Sequence, residues 1–135
     1  MLRNLLVLLV VASVANASMG VLVKKVGEKI ELNLGDNVKT WRRNHDSDGE
    51  QIARHCSLIT EKSNCGKWHK EAGTVLGSAG AYKIADDGTL TIEKATKADA
   101  GMYSSPDAQG RTTTHDDGSV SRTAAPVIEV RIEDQ

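Results

Sequence analysis

The stretch DGTLTIEKATKADAGMYSS, residues 87–105, decides the fold of this chain. Leu90 and Ile92 lie two residues apart and alternate with threonines, so in a β-strand their side chains share one face. A short polar bend follows, and Gly101 then permits close or unusual backbone before the amphipathic ring of Tyr103. The stretch therefore predicts a strand, a tight corner and a second strand that begins near Tyr103.

This arrangement resembles the E strand, the E–F corner and the F strand of the immunoglobulin superfamily, in which a tyrosine near the start of strand F bonds nearby backbone. The family pattern D-x-G-x-Y-x-C stands here as Asp99-x-Gly101-x-Tyr103-x-Ser105. The resemblance implies an all-β, immunoglobulin-like antiparallel β-sandwich. In that family the aspartate pairs with a basic residue at the start of strand D, for which Lys83 is the nearest residue here. A turn cap at the bend is the alternative role for Asp99.

Two earlier segments extend the resemblance. The alternating segment 30–34 is similar to strand B, and Trp41 is similar to the buried tryptophan of strand C. Leu34 and Ser105 stand where the family places its two inter-sheet cysteines, so the usual disulfide is missing. We expect Leu34 to fill that space by apolar packing, whereas Ser105 needs a hydrogen-bond partner in an apolar interior.

Cys56 and Cys65 are the only cysteines in the chain. An even number in a secreted protein favours a disulfide bond between them. The alternative is a metal site in which His55 and His69 join the two sulfurs as ligands. The spacing C-x8-C-x3-H lacks the close cysteine pair of familiar zinc modules, and an oxidising compartment consumes thiols. The disulfide is therefore the favoured interpretation, and no metal or cofactor is predicted.

The N-terminus has the pattern of a secretory signal peptide. Arg3 precedes an apolar run over residues 5–14, and Ala15-Asn16-Ala17 provides an A-x-A cleavage signal. The apolar run is shorter than the ~20 residues that span a bilayer. We therefore expect a secreted, extracellular protein without membrane insertion, in which residues 1–17 are the signal peptide and residues 18–135 form a single immunoglobulin-like domain.

Composition limits the classes of function. Of the 17 basic residues only Arg3 lies in the signal peptide, which leaves 16 against 18 acidic residues, interleaved along the chain. This balance predicts no nucleic-acid partner. His115 beside Asp116 and Asp117 invites a catalytic interpretation, but adjacent residues in one loop cannot fix a triad, and the chain has no G-x-S-x-G frame. We therefore expect no catalytic activity.

Residues 106–125 form the longest departure from a minimal domain. Threonine-rich arms flank Asp116-Asp117-Gly118 and predict a protruding F–G hairpin, with a plain surface loop as the alternative. The sequence predicts recognition or adhesion toward an extracellular protein that it does not identify, and a small secreted inhibitor on the same scaffold is the alternative. The polar residues of this tract that could contact such a partner are Arg111, Thr113, His115, Asp116, Asp117 and Arg122.

Overall fold

The computed structural model describes residues 19–35, 37–45, 49–77, 81–108, 112–122 and 125–134, so the expected signal peptide lies outside the described residues. Within those ranges no helix has the length and apolar character needed to cross a bilayer. Three short 3₁₀ turns occur, Cys56–Leu58, Lys62–Asn64 and Lys97–Asp99. The strands are β1 (Met19–Lys25), β2 (Ile30–Leu32), β3 (Thr40–His45), β4 (Gly49–Arg54), β5 (Lys83–Ile84), β6 (Leu90–Ile92), β7 (Gly101–Ser104), β8 (Thr112–Thr114), β9 (Val120–Arg122) and β10 (Val127–Glu133).

The strands form two packed sheets and a separate hairpin. The larger sheet has the order β1-β10-β7-β3-β4, the smaller sheet has the order β2-β6-β5, and β8 pairs with β9. β1 runs parallel to β10, and the other described strand pairs are antiparallel. In immunoglobulin terms the larger sheet carries G, F, C and C′, and the smaller sheet carries B, E and D. The predicted all-β, immunoglobulin-like sandwich is confirmed.

The core lies between the two sheets and is organised by two large rings. Trp41 and Tyr103 are fully buried, and Leu90 and Ile92 face them from the smaller sheet because alternate residues of a strand share a face. Trp41 Nε1 donates to the carbonyl oxygen of Gly88 at 3.1 Å, which satisfies the buried indole. Gly88 has a φ of +94°, and a Cβ there would lie 3.0 Å from backbone atoms, so this turn requires glycine.

The two positions of the missing inter-sheet disulfide are filled differently. Leu34 lies just beyond the end of β2, is partly buried and packs against the core. Ser105 is buried, and its hydroxyl donates to the carbonyl oxygen of Thr40 at 2.5 Å and accepts from the backbone N–H of Asp107 at 3.0 Å. Ser105 thus ties the end of β7 to the start of β3 within one sheet, whereas a cysteine pair would join the two sheets.

Candidate functional site

A buried polar network lies beneath the corner that precedes β7. The Tyr103 hydroxyl donates to the carbonyl oxygen of Asp99 at 2.6 Å and accepts from Arg43 Nη1 at 3.0 Å. Arg43 Nη1 also donates to Asp99 Oδ1 at 2.8 Å, and Arg43 Nε donates to Gln51 Oε1 at 2.8 Å. The Arg43 guanidinium lies 3.7 Å from the ring centroid of Trp68, a cation–π contact. Burial raises the pKa of Tyr103 to about 12.

The expected pairing of Asp99 with Lys83 is wrong. Lys83 lies exposed in β5, and the cation that pairs with Asp99 is Arg43 of β3. Strand alternation explains the difference, because Arg43 follows Trp41 by two residues and so faces the core with it. A buried guanidinium requires a nearby acid, and the other oxygen of Asp99 accepts from the backbone N–H of Thr96 at 2.8 Å. The aspartate therefore serves both as ion-pair partner and as turn cap.

The four residues of the alternative metal site do not form a set of ligands. Cys56 and Cys65 form a disulfide with their Cα atoms 5.2 Å apart, so neither offers a thiolate. His55 Nε2 lies 3.0 Å from Asp86 Oδ1, whereas His69 lies beside β4, where its backbone pairs with Ile52. Among the residues that the structure describes, no group of three or more histidine, cysteine and acidic side chains is placed to hold a metal ion.

A groove of about 730 Å³ opens beside the disulfide, between the 55–66 segment and β5. His55 and Asp86 line this groove, and His55 Nε2 lies 3.0 Å from Asp86 Oδ1. Ser57 Oγ, outside the lining, lies 2.7 Å from His55 Nδ1, so the order of groups resembles a hydrolytic triad. The Asp86 side chain is 96 % exposed, so water screens its charge. We infer that these hydrogen bonds hold the 55–66 segment against the turn that follows β5.

The hairpin predicted in the F–G tract is present. β8 and β9 pair with each other and with no other strand among the described residues, and Thr113 lies opposite Ser121. In the turn the backbone N–H of His115 donates to the carbonyl oxygen of Ser119 at 2.8 Å. Asp117 Oδ1 accepts from both the N–H and the hydroxyl of Ser119, at 2.9 and 2.6 Å. These bonds give the tip a defined conformation.

The residues predicted to contact a partner are distributed along this hairpin. His115, Asp116 and Asp117 lie exposed at its tip, and hydrogen bonds from Ser119 lower the pKa of Asp117. The backbone of Thr113 and of Arg122 lies in the two strands, and Arg111 falls outside the described residues.

The chain that leads into the hairpin is anchored to the sandwich. Asp107 Oδ2 accepts from the backbone N–H groups of Lys39 and Thr40, at 2.9 and 3.0 Å. Thr40 begins β3 and lies opposite Arg54, the last residue of β4. The segments before β3, after β4 and after β7 therefore meet at one end of the larger sheet, the end where variable-type immunoglobulin domains carry their recognition loops.

Sequence reasoning missed three members of the buried network, Arg43, Gln51 and Trp68. Arg43 could have been found, because its spacing from Trp41 places it on the buried strand face. Trp68 lies in a segment without the alternation of a strand, so the sequence pattern did not predict that it is buried.

Comparisons with known proteins give remote structural similarity only. No protein-family model matches the chain, and no curated protein matches its sequence. Among solved structures it is similar to the extracellular portion of mouse CD200RLa, at 12 % identity and a TM-score of 0.43, over 84 % of this chain and 55 % of that one. It is also similar to the extracellular fragment of Novel Immune-Type Receptor 11 from Ictalurus punctatus. The fragment that includes the stalk region is 17 % identical, with a TM-score of 0.45, and the match covers 85 % of each chain. The fragment without the stalk is 16 % identical, with a TM-score of 0.44, and the match covers 84 % of this chain and 96 % of that one. At such values the assignment of an immunoglobulin-like domain rests on the strand order and the core described above.

Proposed function

We propose that this protein is a secreted, immunoglobulin-like recognition domain that binds an extracellular protein through the hairpin formed by β8 and β9. The observation that carries the proposal is an exposed hairpin whose strands pair only with each other in the described chain. Recognition residues are commonly found on loops that a rigid scaffold positions, and Asp107 anchors the approach to this hairpin. The signal-peptide pattern of residues 1–17 supports secretion.

The chemistry of the hairpin tip predicts a polar contact. His115, Asp116 and Asp117 are exposed there, and Val120, which is 54 % exposed, is the large apolar side chain beside them. Side chains of this kind give modest affinity and an association rate that falls as salt rises. The aromatic residues that dominate tight interfaces are buried in the core instead. No reacting group is assigned to the site, so the proposed activity is binding alone.

The test replaces residues 111–122 with a short Asn-Gly turn in the mature protein. The wild-type protein and the variant are immobilised separately and exposed to extracellular fluid of the source, and retained proteins are identified by mass spectrometry. Two point variants refine the result. Asp116→Ala removes a carboxylate at the tip, and Lys94→Ala removes an exposed charge near the corner that precedes β7, at the other end of the sandwich.

The proposal predicts a partner retained by the wild-type protein and by Lys94→Ala, weakened by Asp116→Ala and lost on turn replacement. The far-UV circular dichroism spectrum should remain that of a β-protein in all four proteins, which separates lost binding from lost folding. Undiminished capture by the turn-replacement protein would place the contact on another surface. Capture of no partner by the wild-type protein would contradict the recognition function.

A further inference from the structure

A short edge segment extends the larger sheet beyond β4. The backbone N–H of Ile52 donates to the carbonyl oxygen of His69 at 2.7 Å, and the N–H of His69 donates to that of Ile52 at 3.0 Å. These two bonds define an antiparallel pairing. The pairing ends there, because both backbone groups of Arg54 bond to the Tyr82 hydroxyl and the N–H of Lys67 donates to the carbonyl oxygen of Asn64 at 3.1 Å.

The side chains of this pairing alternate between the core and the outer surface. Ala53 and Trp68 are buried in the core, at 0 % and 3 % exposure, so their neighbours face the other way. Arg54, Lys67 and His69 therefore share the outer face, and all three line one cavity of about 250 Å³.

The cavity lining has more positive than negative side chains, since Arg54 and Lys67 face a single acid, Glu61. Neither Arg54 nor Lys67 forms an ion pair with any acidic side chain among the described residues. Burial, and after it the charge of Arg54, lowers the pKa of His69. The excess of positive charge in the lining favours a bound anion.

The rest of the cavity is apolar at its rim and polar within. Leu58 and Val75 line it and are 51 % and 38 % exposed, which gives the cavity an apolar rim. Thr60 and Asn64 add hydrogen-bonding groups. Glu61 is the acidic residue of the lining, and its Oε1 accepts from the hydroxyl of Ser63 at 3.2 Å. The volume lies below the roughly 300–1,000 Å³ of pockets that enclose a whole small molecule.

The walls of the cavity are held in place by other bonds. The Tyr82 hydroxyl accepts from the backbone N–H of Arg54 at 3.0 Å and donates to its carbonyl oxygen at 2.9 Å. The disulfide between Cys56 and Cys65 constrains the segment that supplies Leu58. Such preorganisation lowers the entropy cost of binding.

We propose that the pocket bounded by Arg54, Lys67 and His69 binds an acidic side chain of a protein partner, with a neighbouring apolar residue against Leu58 and Val75. The positive charge of the pocket favours a carboxylate, and its apolar rim favours an apolar residue next to that carboxylate. The volume of the pocket fits a side chain better than a whole small molecule. This inference rests on the proposed function, since it assigns part of the recognition surface at the hairpin end, but the two sites consist of different residues and can fail separately.

The test uses peptide probes and backbone amide signals of ¹⁵N-labelled mature protein. Acetyl-Leu-Glu-Leu-amide is titrated beside acetyl-Leu-Gln-Leu-amide, which has the same shape without the charge. We expect saturable shifts at Arg54, Lys67 and His69, and an increase in the pKa of His69 when the acidic peptide binds. The glutamine peptide should bind at least about tenfold more weakly, because its neutral carbonyl accepts a weaker hydrogen bond from the cations than a carboxylate does.

A double variant and a matched control complete the design. Arg54→Gln with Lys67→Gln should remove binding of the acidic peptide and leave the Tm unchanged, because neither side chain forms an ion pair among the described residues. Lys24→Gln with Lys83→Gln makes the same change of charge elsewhere and should leave binding unchanged. Equal shifts with the glutamine peptide, retained binding in the Arg54/Lys67 variant, or absence of saturation would overturn the proposal. Equally strong binding of glucuronate, which lacks an apolar flank, would overturn the assignment to a peptide.

The outcome of the peptide titration does not depend on the hairpin formed by β8 and β9. The peptide titration uses no natural partner, so failure of the hairpin experiment does not alter it. If the titration succeeds and a partner has been captured, the Arg54/Lys67 variant should also weaken capture, whereas an unchanged capture would overturn a role for the pocket in that complex.

Discussion

Replacing Asp99 with asparagine probes the buried network on which the corner depends. The carboxylate is used at both oxygens, since Oδ1 accepts from Arg43 Nη1 and Oδ2 accepts from the backbone N–H of Thr96, each at 2.8 Å. Asparagine keeps the size but has one acceptor oxygen, so it can satisfy only one of these donors. It also removes the negative charge that compensates the buried guanidinium.

The expected loss is large because both partners are buried. Arg43 is 5 % exposed and Asp99 is 8 % exposed, and breaking a buried ion pair costs about 3–5 kcal/mol. Arg43 would retain its bonds to Gln51 and Tyr103 and its contact with Trp68, so we expect the lower end, about 3 kcal/mol. A domain of this size has roughly 5–15 kcal/mol of stability, so the variant should remain folded but unfold much more easily.

Urea unfolding followed by tryptophan fluorescence measures this loss. The control is Glu31→Gln, which breaks the exposed pair of Lys29 and Glu31, whose charged atoms are 3.1 Å apart. Water and salt screen that pair, so its loss should cost about 1 kcal/mol or less. If Asp99→Asn and Glu31→Gln shift the free energy of unfolding equally, the network does not stabilise the fold and the reasoning is refuted.

Three further predictions use the same unfolding assay. Trp41→Ala should cost about 3–5 kcal/mol, because it empties the centre of the core, and a loss below ~1 kcal/mol would contradict that placement. Tyr103→Phe should cost about 1–3 kcal/mol by leaving the Arg43 donor and the Asp99 carbonyl without the hydroxyl. With its pKa raised from 10.0 to about 12 in the folded state, Tyr103 stabilises the fold fully below pH 10, and this contribution should disappear as the pH rises through 12. Tyr103→Phe should lack this part of the loss of unfolding free energy at alkaline pH. If the wild-type protein and the variant lose stability identically as the pH rises, the prediction is refuted. Replacing both Cys56 and Cys65 with alanine should cost at most about 2.5–3 kcal/mol, because a loop with a sequence separation of nine is short, and labelling of the unfolded wild-type protein should find no free thiol.

The strands were predictable where one face of a strand is buried. Leu90 and Ile92 alternate with threonines, and they point into the core because a period of two puts both on one side of the sheet. The same argument covers Ile30 and Leu32 in β2. The hairpin of β8 and β9 was also visible, because an Asp-Gly turn between threonine-rich arms is a local signal.

The partners of the site residues were not predictable in the same way. Asp99 was recognisable as a structural acid, but its cation is Arg43, 56 residues away in the chain, rather than Lys83. Choosing between two lysine or arginine side chains requires knowing which strands are neighbours and which face each residue takes. Trp68 is buried in the core although its segment lacks the alternation of a strand. Its contact with Arg43 follows from packing alone.

The sequence by itself determined the class of fold and the corner at Tyr103, because both depend on residue spacing within a short stretch. It also determined the pairing of the two cysteines, because the chain contains no others. Only the tertiary structure decided which charges meet. It brought Arg43 to Asp99 in the core, where burial makes the pair strong, and it placed Arg54 and Lys67 in the lining of one surface cavity. Electrostatic energy depends on distance and burial, and both arise from contacts between residues far apart in the chain.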